Sequence, residues 1–99
     1  MHIHLGIAGG VLAAGIFFRL SRLEWLAVIS AILLVLCGEL LNTAIEKVVD
    51  LASPQYHSLA GQAKDIAAGA VFLAAIGAVC VGGLVFLPHI LTFFQKNMG

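Results

Sequence analysis

Glu39-Leu-Leu-Asn-Thr-Ala-Ile-Glu-Lys-Val-Val-Asp50 is the stretch that decides the fold, because it closes an apolar run long enough to cross a bilayer. At about 100° per residue, positions 39, 42, 46 and 50 fall within roughly an 80° sector of one helical face. A charge at the bilayer centre costs about 2.5–3.5 kcal/mol, and this cost falls toward the interface. The stretch therefore predicts an acidic strip at a membrane surface, suited to a metal ion and phosphate.

The composition places the chain in a membrane. It has 99 residues, 62% hydrophobic and 10% charged, with a mean hydropathy of +1.10. An average soluble domain carries about 25% charged residues, so this chain has too few polar side chains to cover a surface facing water. Its length allows at most one domain. The formal net charge of zero, with no basic patch, argues against a nucleic-acid partner.

Three apolar segments predict an all-α, integral membrane protein with three transmembrane helices. We expect these helices at about 3–18, 23–49 and 64–94, with a loop over 50–63. The first would rise only roughly 24 Å, less than the ~30 Å hydrocarbon core. Glycine in this segment and small residues in the third favour close helix packing. Pro88 is predicted to end or kink the third helix.

The polar residues fit the needs of phosphoryl transfer, which requires a divalent cation, a base and a cation for the phosphates. Glu46 and Asp50 lie one turn apart and could bind Mg²⁺, while Glu39 lies deeper, where a lipid hydroxyl would reach it. Asn42 could donate hydrogen bonds, and Lys64 could pair with phosphate oxygens. Because the chain contains no P-loop and no protein-kinase signature, a kinase site here must be built from membrane helices.

The same residues also fit other interpretations. Glu39 and Asn42 could hold an oligomer together by interhelical hydrogen bonds, and Glu46 to Asp50 could be a solvated helix end. A proton or ion conduit is disfavoured, because the acids lie at one helix end and form no relay across the bilayer. The spacing of three histidines does not indicate a metal site: His2, His4 and His89.

Three strings resemble the prokaryotic diacylglycerol kinase family, which includes the undecaprenol kinases. They are residues 39–50, Tyr56-His57, and Ala63-Lys-Asp-Ile-Ala-Ala-Gly-Ala-Val71, and the resemblance extends over about 19–90. Members of this family are small three-helix membrane enzymes that form homotrimers and use MgATP. The resemblance therefore implies a trimeric helical bundle in a bacterial inner membrane, with ATP as co-substrate and Mg²⁺ as cofactor.

The resemblance also implies roles for individual residues. Glu39 corresponds to the general base and, with Ala68, to a position that contacts the lipid substrate. Glu46 corresponds to a ligand of the metal and to a nucleotide contact, with Asn42 and Asp50 in support. The other nucleotide-contacting positions are Gln55, Tyr56, His57, Lys64 and Asp65.

The expected function is transfer of the γ-phosphoryl group of ATP to a lipid hydroxyl. Undecaprenol is the expected acceptor, because the string from Asn42 to Leu51 is closer to the undecaprenol kinase branch. Diacylglycerol is the alternative acceptor. The alternative from another class is a non-catalytic membrane subunit, in which the polar strip only fixes trimer packing.

One departure from the family concerns the N-terminus. Family members begin with a basic amphipathic surface helix, followed by a glutamate that supplies a second metal ligand, and this sequence starts a few residues after that position. We expect the chain to retain the catalytic strip but to turn over poorly alone. Counts of Lys and Arg do not orient the loop, so its cytoplasmic placement is expected only because ATP is there.

Overall fold

The chain folds into three α-helices in a computed structural model that describes residues 2–55 and 57–98, with side chains from residue 3. The helices are α1 (His2–Phe18), α2 (Arg22–Ala52) and α3 (Ser58–Met98). The all-α prediction is confirmed, since these described ranges contain no strand. α2 and α3 are long and apolar enough to cross a membrane, and Ile3–Phe18 is a shorter apolar helix.

The helices extend further than the hydropathy pattern predicts. α2 continues to Ala52 and α3 already begins at Ser58, so a short connection replaces the predicted loop over 50–63. α3 also continues through Pro88 to Met98 instead of ending at the proline. Packing against neighbouring helices lets an apolar helix tolerate a proline, and α3 packs along α2 at this level.

α2 and α3 form an antiparallel pair, because contacts join opposite ends of the two helices. Asp50 contacts Lys64 at one end, and Glu24 contacts His89 at the other. We call these the loop end, beside the connection 53–57, and the turn end, beside the connection 19–21. α1 packs on α2 less extensively, and the molecule measures 63 × 21 × 17 Å.

The interior is small and most large apolar side chains are exposed. Leu23 and Leu51, for example, are 78% and 85% exposed. Apolar surface of this extent is covered by lipid or by another chain, not by water. The buried hydrophobic side chains within the described ranges are Leu20, Val28, Val35, Ala67 and Val85.

α1 ends in a close turn against α2. The Leu20 N–H donates to the Gly15 carbonyl and the Arg19 N–H to the Ile16 carbonyl, both at 3.3 Å, which is the Schellman arrangement. Arg19 takes the left-handed conformation that this turn requires, with φ 54°. A Cβ on Gly15 would lie 2.5 Å from Trp25 Cη2, so only glycine allows this approach of α1 to α2.

α2 begins with a capping box that also reaches α3. The Glu24 N–H donates to Ser21 Oγ at 3.2 Å, and the Ser21 N–H donates to Glu24 Oε1 at 3.0 Å. The second oxygen of Glu24 lies 2.8 Å from His89 Nε2, whose ring centre lies 5.8 Å from that of Phe18. One glutamate therefore starts α2 and holds α3 at the turn end.

Candidate functional site

The acidic strip continues the inward face of α2 toward the loop end. Val35, Glu39 and Asn42 follow one another at helical spacing, and Val35 is buried. The Glu39 side chain is only 12% exposed, whereas Glu46 and Asp50 further along the strip are exposed. The strip therefore passes from a nearly buried carboxylate to carboxylates that face the surroundings, as a site between a lipid and a solute requires.

Glu39 contacts a histidine from another helix. His4 Nδ1 of α1 meets Glu39 Oε1, and the His4 side chain is partly exposed. The sequence patterns do not indicate a metal-binding role for His4, because its spacing to other residues is not that of metal ligands. No local pattern could reveal this contact, since the two residues lie on different helices and meet only in the folded chain.

Asn42 and Glu46 form a second polar pair, one turn apart on α2. Asn42 Nδ2 donates to Glu46 Oε1 at 3.2 Å. The other amide atom, Asn42 Oδ1, is buried and makes no hydrogen bond within the described part of the chain. An amide oxygen beside a carboxylate is the kind of donor set that a hard cation such as Mg²⁺ prefers.

The protein supplies only part of a magnesium shell at this place. Among residues 3–55 and 57–98, no group of three or more His, Cys, Asp or Glu side chains could hold a metal ion together. Mg²⁺ commonly binds one or two carboxylates and completes its shell with substrate phosphates and water. The donors at Asn42 and Glu46 therefore fit an ion that binds together with phosphate.

Lys64 joins the strip from α3. Its Nζ donates to Asp50 Oδ1 at 2.5 Å, and the two side chains are 39% and 63% exposed. An ammonium group has three N–H donors, so Lys64 can bind Asp50 and a phosphate oxygen together. Asp65 and Ala68 are exposed within the next turn of α3.

The connection between α2 and α3 is held by its own hydrogen bonds. His57 Nδ1 accepts from the Leu59 N–H at 3.1 Å and so caps the start of α3. The Gln55 carbonyl accepts from Ser53 Oγ, also at 3.1 Å. Among the predicted nucleotide contacts, Tyr56 lies outside the described residues. This capping orients the His57 ring at the loop end, where its Nε2 points away from the capped backbone.

An apolar cavity of about 310 Å³ lies between the three helices, and His4, which contacts Glu39, is among its lining residues. His4 lines its loop end, and Ile7, Val35, Ala78 and Phe86 line it further toward the turn end. A cavity of this lining suits a hydrocarbon chain better than a soluble substrate. The polar strip and the apolar cavity thus meet at His4 and Glu39.

Comparison with known proteins gives a consistent result. The sequence pattern of the family described as prokaryotic diacylglycerol kinase matches residues 1–86. A diacylglycerol kinase of Synechocystis is 47% identical over 93 residues, which are 93% of this chain and 52% of that protein. An undecaprenol kinase of Bacillus subtilis is 44% identical over 87 residues, covering 88% of this chain and 71% of that protein.

A diacylglycerol kinase of Escherichia coli is 44% identical over 61 residues, which are 62% of this chain and 50% of that protein. The chain therefore spans about half the length of the Synechocystis and Escherichia coli relatives. These relatives include both diacylglycerol kinases and an undecaprenol kinase, at similar levels of identity to this chain.

Proposed function

The chain belongs to the prokaryotic diacylglycerol kinase family, and on this premise we propose that it phosphorylates a lipid alcohol in a membrane. The phosphoryl donor is ATP. One observation carries the proposal beyond family membership. A nearly buried carboxylate, Glu39, contacts His4, which lines an apolar cavity, and the polar groups Glu46 and Lys64 lie toward the loop end.

Glu39 acts as the general base. It accepts the proton of the lipid hydroxyl as the hydroxyl oxygen forms its bond to the γ-phosphorus, while the bond from that phosphorus to the ADP oxygen breaks. The low exposure of Glu39 favours a lipid hydroxyl over water as the group it deprotonates. No covalent phosphoenzyme is needed.

The nucleotide binds at the exposed part of the strip. Glu46 would hold Mg²⁺, with Asn42 in support through its hydrogen bond to Glu46 Oε1, and the ion would neutralise the phosphate charges. Lys64 donates to a phosphate oxygen, and Asp50 orients Lys64. The remaining proposed nucleotide contacts are Gln55, Tyr56, His57 and Asp65.

The proposed acceptor is undecaprenol, with diacylglycerol as the alternative. The apolar cavity beside Glu39 supports a lipid acceptor of either kind, and the Asn42–Leu51 string favours undecaprenol. Ala68 on α3 is the proposed second contact for the lipid. The relatives' names include both activities, so the choice between them belongs to experiment.

We propose three membrane spans in a bacterial inner membrane, with the loop end facing the cytoplasm and its ATP. We further propose a homotrimer. The exposed apolar helix faces support it. So do three glycines of α1, because a Cβ added at each would have no atom from another part of the described chain within 4 Å: Gly6, Gly9 and Gly10. Faces of small residues are typical of close helix contacts between membrane chains.

The test is a kinase assay of the whole chain in mixed micelles with radiolabelled ATP, Mg²⁺ and either undecaprenol or dioleoylglycerol. We expect phosphorylation of both acceptors at rates below that of the Bacillus subtilis relative, with the higher kcat/KM for undecaprenol. If neither acceptor is phosphorylated while the Bacillus subtilis relative is active in the same micelles, the proposed function is wrong. A chain that is inactive but assembles as a trimer would support the non-catalytic subunit instead.

A further inference from the structure

We propose that His4 is a positioning residue for the general base Glu39. The inference rests on the proposed function for the role of Glu39, but the contact between the two residues does not. His4 Nδ1 meets Glu39 Oε1 across the interface of α1 and α2. The Glu39 side chain is 12% exposed and that of His4 is 34% exposed, so water competes only weakly for this contact.

The chemistry of the pair assigns the proton. An ionised carboxylate only accepts hydrogen bonds, whereas a neutral imidazole donates from one ring nitrogen and accepts at the other. Because Nδ1 lies against Glu39 Oε1, Nδ1 is the ring nitrogen that carries a proton in this contact. Glu39 Oε1 is thereby held, and rotation of the carboxylate about the side-chain bond is restricted.

This restriction matters because the base must meet a lipid hydroxyl from a defined direction. The apolar cavity that a lipid chain fits is lined by His4, the residue that contacts Glu39. Holding Oε1 on His4 fixes the direction from which the carboxylate meets the reacting hydroxyl. A misplacement of about 1 Å of a catalytic group can cost roughly 100-fold in rate, so the contact has a kinetic consequence.

α1 otherwise contacts α2 only over a small area, so the pair also fixes where α1 stands at the loop end. His4 could hold α1 in place through its ring or position Glu39 through its N–H donor, and two substitutions of His4 distinguish these roles. The amide of asparagine places an N–H donor close to where Nδ1 of histidine stands. His4→Asn therefore keeps the donor and loses the ring, whereas His4→Leu keeps an apolar side chain and loses the donor.

The molecule contains a matched control for a lost histidine–glutamate contact. His89 Nε2 lies 2.8 Å from Glu24 Oε2 at the turn end, far from the strip. His89→Leu removes an interhelical contact of the same type without touching Glu39. A loss of activity that comes from loosened helices alone would appear in His89→Leu as well.

The kinetic test compares the wild type, His4→Asn, His4→Leu and His89→Leu in micelles with undecaprenol or dioleoylglycerol. We expect His4→Leu to lower kcat roughly 10- to 100-fold with the KM for ATP almost unchanged. His4→Asn and His89→Leu should stay within a few-fold of the wild type. Circular dichroism and size-exclusion chromatography of each variant check that its helices and assembly are retained.

A second test reads the contact without any activity. In ¹⁵N-histidine NMR spectra of the whole chain in micelles, the neutral His4 ring should carry its proton on Nδ1. Glu39→Ala should shift that proton toward Nε2, whereas Glu24→Ala should leave the His4 signals unchanged. The Glu39→Ala chain needs no kinase activity for this measurement.

The inference is overturned if the His4 tautomer is the same with and without the Glu39 carboxylate. It is equally overturned if His4→Leu keeps the wild-type kcat, or if His4→Asn is as slow as His4→Leu. An inactive wild-type chain overturns the proposed function instead. The two failures are distinguishable, because the NMR measurement reports the contact independently of turnover.

Discussion

The two ends of the helix pair use the same residue types for different purposes. At the turn end, Glu24 binds the Ser21 backbone with one oxygen and His89 with the other. At the loop end, Glu39 meets His4 beside an apolar cavity, and Asn42 keeps a buried oxygen without a hydrogen bond within the described residues. The Glu24 carboxylate at the turn end holds helices together, whereas Asn42 at the loop end has an amide oxygen that a ligand can bind.

A glutamate–histidine contact between helices is therefore not by itself evidence of a functional site. Both pairs join two helices, and the side chains of Glu39 and Glu24 are 12% and 29% exposed. The residues around them differ. Glu24 belongs to a capping box and its partner His89 lies near the Phe18 ring, whereas Glu39 continues into a strip of further polar residues. Substitutions at matched positions of the two ends can therefore separate stability from catalysis.

The largest effect is expected at Glu39. Glu39→Gln removes the proposed base but keeps the size of the side chain, so lipid phosphorylation should fall by roughly 100- to 10,000-fold. Glu24→Gln is the matched control and should leave activity within a few-fold. Radiolabel transfer to the lipid measures the activity, and size-exclusion chromatography reports the assembly. If Glu39→Gln instead breaks up the oligomer, the carboxylate serves packing.

The next largest effect is expected at the turn end, in stability and not in activity. Gly15→Ala places a Cβ 2.5 Å from Trp25 Cη2, and overpacking of this kind costs about 1–3 kcal/mol. Unfolding of the micelle-bound chain by sodium dodecyl sulfate measures the change. Gly77→Ala on α3 is the control, because nothing lies within 4 Å of its added Cβ. An equal loss at both glycines would show that the Trp25 contact is not the cause.

A smaller effect is expected for the proposed metal ligand. Glu46→Gln keeps an oxygen but removes a charge, so the Mg²⁺ concentration for half-maximal activity should rise roughly tenfold. Lys47→Gln changes the neighbouring charge and should not raise it. Activity titrated with Mg²⁺ at fixed ATP measures both variants. An unchanged Mg²⁺ requirement in Glu46→Gln would contradict the metal role.

The smallest effect is expected for the helix cap. Ser21→Ala removes the acceptor for the Glu24 N–H, and loss of such a cap costs about 1 kcal/mol. The same unfolding measurement detects this change, and Ser30→Ala in the body of α2 is the control. Lipid kinase activity should remain unchanged in both. A lower kinase activity in Ser21→Ala would mean that the two ends are coupled and that the turn end does not serve stability alone.

The helical class and the acidic strip could be predicted because both depend on local periodicity. Apolar composition indicates helices in a membrane, and positions 39, 42, 46 and 50 share a face by helical geometry alone. The structure adds a gradient that periodicity does not contain. Glu39 is nearly buried, whereas Glu46 and Asp50 are exposed, because burial depends on where α1 and α3 lie.

The partners of the histidines could not be predicted from the sequence. His4 meets Glu39 and His89 meets Glu24 only when separate helices pack together, so no spacing within one helix indicates either contact. The loop of 50–63 predicted from hydropathy is likewise longer than the connection of 53–57 in the structure. The segment before Ser53 remains helical, and His57 caps α3 with its ring, a use of histidine that is rarer than capping by Ser or Asp.

The length of α3 has a consequence for the membrane around the protein. Residues 66–94 contain no Asp, Glu, Lys or Arg, and as an upright helix they would rise roughly 43 Å, against about 30 Å of hydrocarbon. Such hydrophobic mismatch is relieved by tilt or by local thickening of the bilayer. Because Asp50–Lys64 and Glu24–His89 tie α3 to α2 at both ends, the two helices must lean together. We therefore expect the acyl-chain length of the host lipids to set the height of Glu39 relative to the hydrocarbon boundary.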